Sequence, residues 1–100
     1  MGAILLEITY EGDHCMPCVY MRETIEEWIN SLGGQVELEL VRLREMKGAR
    51  RYQELSSSLG RPAPVPALFV NGKLYFDSTP TLGELKDLEK TIEQLLKGGD

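Results

Sequence analysis

The two cysteines of this 100-residue chain lie three positions apart in the stretch His14-Cys15-Met16-Pro17-Cys18, which also carries the sole histidine. Three chemistries suit such a grouping: a dithiol that opens and closes, a metal clip, or a pair of inert buried sulfurs. A thiolate attacks disulfides and a thiol does not, so what matters is which sulfur ionises more easily. Proline is accepted only within a helix's first turn, and Pro17 therefore places a helix start at the cysteines. Unpaired N–H groups and the positive end of the helix dipole then favour an anion at Cys15. Cys18, one turn further in on the same face, is expected to be less exposed and to act second, as the resolving thiol. His14 is a candidate modulator, because a protonated imidazole beside Cys15 would stabilise its thiolate. Pro17 is a second, since it removes an N–H near the sulfurs. As a metal site the cluster is short of ligands: structural zinc takes four, and the residues here offer at most His14, Cys15 and Cys18. The alternative to a redox dithiol is thus a CxxC metal-binding module for zinc or copper, or an iron–sulfur cluster shared by two chains.

Positioning these sulfurs requires a scaffold, and the apolar spacing supplies one. Residues 3–10, AILLEITY, are apolar except for Glu7 and the terminal Thr-Tyr, the pattern of a central strand covered on both faces. After EGDH, the spacing Met21, Ile25, Trp28, Ile29, Leu32 predicts a helix that Gly33-Gly34 stops. QVELELVRL alternates apolar residues with Glu37 and Glu39, an edge strand with one face in water. A second helix is predicted over 46–59 from Ala49, Tyr52, Leu55 and Leu59, weakened by Gly48 and by Ser56 to Ser58, read as a fraying end. The prolines of PAPVP impose an extended approach to ALFV-NG-KLYF, two short strands around a two-residue hairpin turn. Thr81 and Glu84 form a capping-box pair ahead of an apolar stripe of Leu82, Leu85, Leu88, Ile92 and Leu95, ending by Lys97-Gly98. A strand, crossover helix and parallel strand followed by a hairpin make a mixed four-stranded sheet flanked by helices, an α/β fold ordered β-α-β-α-β-β-α in a single domain, 1–100.

Bulk properties narrow the function. A net charge of −5 with 27% charged residues is ordinary for a soluble protein and argues against nucleic acid, whose backbone favours a basic face. The run AILL is too short to span a membrane, and no signal-peptide pattern surrounds it, so a cytoplasmic location is expected. Leu6 stands where a myristoylation motif needs Ser or Thr. Two cysteines are too few for a secreted disulfide framework, and in a reducing compartment a close pair is catalytic or metal-binding more often than structural.

The C-x-P-C motif (Cys15, Met16, Pro17, Cys18) directly after a buried strand, with Val65-Pro66 at the head of the hairpin, resembles the thioredoxin-like superfamily in its glutaredoxin-sized form over nearly the whole chain. The resemblance implies a thiol–disulfide oxidoreductase, with Cys15 as nucleophile and Cys18 as resolver. It implies a cis bond before Pro66, packed against the dithiol, and the Val65 backbone presented to an extended substrate. Met16 and Tyr10 join Val65 as candidates to line the substrate groove, although an aromatic in a buried strand is commonly core. Within the superfamily the chain departs from both main patterns. His14 and Thr9 stand where thioredoxins usually carry Trp and a buried Asp, and Val65 and DSTPTLGE replace the features by which glutaredoxins hold glutathione. The exchange needs no cofactor and no metal. It needs a disulfide-containing protein or small-thiol substrate, and a reductase or glutathione-type donor to restore the dithiol. A monomer with no nucleic-acid or membrane partner is expected.

Overall fold

The path of the chain is taken from a computed structural model that describes residues 4–32 and 36–97. Its elements are β1 (Ile4–Tyr10), α1 (Met16–Ile29), β2 (Val36–Arg42), α2 (Met46–Leu59), β3 (Leu68–Val70), β4 (Lys73–Phe76) and α3 (Leu82–Lys97). Among the described residues the sheet is four-stranded in the order β2-β1-β3-β4. β1 pairs in parallel with β2, Ile4 facing Val36 and Tyr10 facing Arg42, and antiparallel with β3, which itself pairs antiparallel with β4. β1 is therefore central and β2 an edge, as the apolar run and the alternating glutamates lead one to expect.

Because side chains alternate along a strand, β1 feeds two cores. Ile4, Leu6 and Ile8 pack with Leu68 and Val70 against Met21 and Ile25 of α1 and Leu85, Leu88 and Ile92 of α3. On the other face Val41, Ala67 and Phe69 pack against Leu55 of α2, with Tyr52, Leu59 and Leu74 partly buried around them. The hairpin turn is Asn71-Gly72, both in the left-handed region at φ 49° and 85°, the conformation that favours this pair of residues. Asn71 also fastens the turn to β1, accepting the Leu5 N–H on its Oδ1 at 2.9 Å and donating its own N–H to the Leu5 carbonyl at 2.8 Å.

Three expectations are corrected. Leu82 and Leu95 do not belong to the buried stripe of α3: they are 80% and 42% exposed, since only the middle of the helix lies over the sheet. Leu32 falls beyond the end of α1, because the Ser31 hydroxyl and N–H both bond the Trp28 carbonyl and close a turn there. Gly48 is no mere weakness in α2: it is buried, and a Cβ at this position would overlap the Arg42 carbonyl at the end of β2. The helix stops expected at Gly33-Gly34 and Gly98, and the strand start at Ala3, lie outside the described residues.

Candidate functional site

The pairing directions bring four connections to one end of the sheet, residues 43–45 after β2 among them. β1 ends at Tyr10, β3 begins beside Ile8, and β4 ends at Phe76 opposite Leu68, so residues 11–15, 61–67 and 77–81 open on the same side. The dithiol sits there, at the start of α1.

Cys15 is the N-cap residue of α1, with extended backbone (φ −91°, ψ 101°). Such a residue ordinarily uses a side-chain oxygen to accept one of the helix's unbonded N–H groups. Here the acceptor is sulfur, and Cys15 Sγ receives the Cys18 N–H at 3.4 Å. The Cys15 N–H donates to the Gly12 carbonyl at 3.0 Å, closing the turn that leads into the helix. Cys15 is half-buried and Cys18 is fully buried, and the two are joined as a disulfide with Cα atoms 5.3 Å apart. Pro17 lies in the first turn of α1, as its missing N–H requires. Met16 beside it is 51% exposed.

The segment 63–67 is held against the end of β1 by Thr9, which is fully buried. Its N–H donates to the Ala67 carbonyl at 3.0 Å and its hydroxyl to the Pro64 carbonyl at 2.7 Å. Further anchors come from α2: the Tyr52 hydroxyl donates to the Ala63 carbonyl, and the Ala63 N–H donates to Ser56 Oγ. Ser56 is thus a fixed point for this connection rather than part of a fraying end. The Val65-Pro66 bond is cis, with Pro66 buried and Val65 half-buried.

Tyr10 takes the core position common to an aromatic in a buried strand rather than the groove position also considered for it. It is fully buried, and its hydroxyl is committed to protein partners, donating to Asp13 Oδ1 and accepting from Arg22 of α1 at 2.7 Å. The guanidinium groups of Arg22 and Arg42 lie 5.4 and 5.5 Å from the ring centroid, within cation–π range. The hydrogen bond to Asp13, followed by burial, raises the ionisation point of Tyr10 above that of a free phenol. The same bond, and then the charge of Arg22, hold the Asp13 carboxyl below the usual range. His14 is exposed, its Nε2 3.8 Å from a Glu11 carboxylate oxygen.

Two charged groups escaped the reading from sequence. Glu7, the single charge in β1, has a side chain only 3% exposed. Arg51 of α2 meets it with two parallel bonds, Nε to Oε2 at 2.7 Å and Nη2 to Oε1 at 2.8 Å, and also reaches Glu54. The signal was present: a lone carboxylate in a strand covered on both faces demands a cationic partner. Glu7 and Arg51 lie in a groove of about 920 Å3 beside β2 and the first turns of α2, lined also by Arg42, Glu45, Met46 and Gly48. None of the cysteines lines it. The other omission is Asp13 with Arg22.

Among the described residues no group of three or more His, Cys, Asp or Glu side chains is arranged to hold a metal ion, and no helix is long and apolar enough to cross a membrane. Comparison with protein-family models finds no match, and neither does comparison with curated proteins. A close cysteine pair on a small α/β scaffold fits a redox or CxxC module, and the geometry of the two sulfurs carries the functional argument.

Proposed function

We propose that this chain is a thiol–disulfide oxidoreductase of thioredoxin-like topology, acting through Cys15 and Cys18. The observation that supports it most is the inequality of the two sulfurs: Cys15 is accessible and takes a backbone N–H at the positive end of α1, while Cys18 is sealed one turn below. A sulfur of a half-buried residue that accepts a helix N–H is a stabilised thiolate once reduced. The parallel β1-α1-β2 unit, the antiparallel hairpin and the cis Val65-Pro66 bond beside the end of β1 are in keeping with the same topology.

In the forward direction the Cys15 thiolate attacks one sulfur of a substrate disulfide. A bond forms between Cys15 and that sulfur, the substrate S–S bond breaks, and the departing thiolate takes a proton from water. Cys18 then loses its proton and attacks Cys15 Sγ, closing the intramolecular disulfide and releasing the second substrate thiolate. Two electrons pass from the protein to the substrate. A dithiol reductant, or two equivalents of a small thiol, returns them. Burial of Cys18 reserves it for the intramolecular step, which is fast because the two sulfurs are already neighbours. The substrate is a protein or small-molecule disulfide approaching past Met16 and Val65, and the setting is the cytoplasm, where a reducing pool regenerates the dithiol.

The test is reduction of a model protein disulfide such as insulin by the reduced protein. Activity is expected to vanish in Cys15→Ser, and Cys18→Ser is expected to stall as a mixed disulfide through Cys15. Stoichiometric zinc, copper or iron in protein purified without reductant, together with no reducible disulfide, would replace this reading with the CxxC metal module.

A further inference from the structure

We propose that Tyr10, Asp13 and Arg22 form a positioning device for Cys15, a rigid triangle between the end of β1, the entry loop and α1 that holds the sulfur against the Cys18 N–H. The proposal rests on the oxidoreductase reading above and gives a role to three residues that act through the backbone of Cys15.

Asp13 is an exposed residue, its side chain 82% open to solvent, yet one of its oxygens is pinned from two sides. The Tyr10 hydroxyl donates to it from the end of β1, and Arg22 Nη1 approaches it at 3.4 Å from the second turn of α1. Arg22 also donates to the Tyr10 hydroxyl at 2.7 Å, so each corner touches the other two. An exposed carboxylate tied to a fully buried phenol is costly to arrange unless the loop that carries it has to be fixed. That loop contains Gly12, whose carbonyl receives the Cys15 N–H, and it ends two residues after Asp13 at Cys15 itself. The extended backbone of Cys15, which puts Sγ within 3.4 Å of the Cys18 N–H, is the outcome of that path. Releasing the loop lets Cys15 leave its capping conformation, and the thiolate loses its donor.

The charged groups around the triangle are Arg42, over the ring as Arg22 is, Glu26 4.0 Å from Arg22, and the Glu11–His14 pair on the loop. The decisive variants keep these charges. Tyr10→Phe removes the hydroxyl alone, and Arg22→Lys keeps the cation but replaces the planar guanidinium, whose Nη1 touches both phenol and carboxylate, by a point charge on a shorter reach.

The experiment is the pH profile of Cys15 alkylation by iodoacetamide in the reduced protein, located by mass spectrometry, with thiolate ultraviolet absorbance as the second readout. Tyr10→Phe is expected to raise the Cys15 midpoint by about one pH unit, a tenfold loss of thiolate below the midpoint and the size of one hydrogen bond to a charged group. Arg22→Lys, which keeps the core phenol and tests the triangle if Tyr10→Phe does not fold, is expected to raise it in the same direction. Arg51→Lys on the opposite face of the sheet serves as control, lowering the melting temperature without moving the midpoint. Should Tyr10→Phe and Arg22→Lys lower the melting temperature and leave the midpoint where it was, the triangle is structural only and the proposal falls. An unmodified protein whose Cys15 titrates like a free cysteine would instead remove the oxidoreductase reading, a result distinct from the first.

Discussion

Arg51 reaches down from α2 onto the sheet to close a two-point ion pair on Glu7, a carboxylate in the central strand whose side chain is almost wholly removed from water. The bonds with Glu7, and then with Glu54, raise the Arg51 guanidinium above its ordinary, already high, ionisation point. Breaking one side of such a pair strands the other charge. Arg51→Met is therefore expected to destabilise the fold by about 3–5 kcal/mol, whereas the double variant Glu7→Leu/Arg51→Met recovers most of that loss. Urea unfolding of the three proteins checks both statements.

Gly48→Ala sets two effects against each other. Alanine is the better helix former by about 1 kcal/mol, but the added methyl would overlap the Arg42 backbone carbonyl, which cannot yield without moving the end of β2. Overpacking of about 1–3 kcal/mol outweighs the propensity gain. A net loss of stability is expected in thermal or chemical unfolding. A gain would mean that the approach of α2 to β2 relaxes freely.

The capping box of α3 is formed: the Thr81 N–H donates to Glu84 Oε1 at 2.9 Å and the Glu84 N–H to Thr81 Oγ1 at 3.1 Å. Thr81→Ala should cost about 1 kcal/mol, read as a lowered urea midpoint with unchanged slope. Thr81→Ser should restore most of it.

The Tyr10–Asp13 bond gives stability a window in pH. Asp13 titrates lower folded than unfolded, so between the two values the unfolded chain binds more protons and stability rises with pH. Its contribution is present above the ordinary carboxyl value of 3.8 and lost as the pH falls through the depressed one. Tyr10 titrates higher folded than unfolded, so above pH 10.0 the native state keeps a proton that the unfolded chain gives up, and stability falls as pH rises. The melting-temperature difference between the parent and Tyr10→Phe should be flat at neutral pH and shrink at both extremes. A difference that stays constant from acid to alkali would mean the bond contributes nothing.

What could be read from the sequence was what is local. Pro17 at a helix start, Asn71-Gly72 between two apolar runs and Thr81 with Glu84 each fix a conformation within a few residues, and the structure has all three. The alternation in β2 likewise gave its edge position. Pairings across the fold were not legible: Glu7 with Arg51 spans 44 positions and Arg22 with Tyr10 spans 12, and periodicity says nothing about which residue a lone charge will meet. Leu82 shows the opposite failure. Its helical phase matches the buried stripe, but burial also depends on how far the sheet extends beneath the helix, which no spacing encodes.

The contact between Thr9 and Pro64 joins residues 55 positions apart, and it fixes an order of events during synthesis. Both sulfurs leave the ribosome when the hairpin and the stretch that lies along the end of the first strand have yet to be translated. The helical turn that carries them is local, but the stretch held by Thr9 arrives only with long-range strand pairing, the slow part of folding. That stretch is therefore a late acquisition of the polypeptide: a half-made chain carries both cysteines before Pro64 exists for Thr9 to hold.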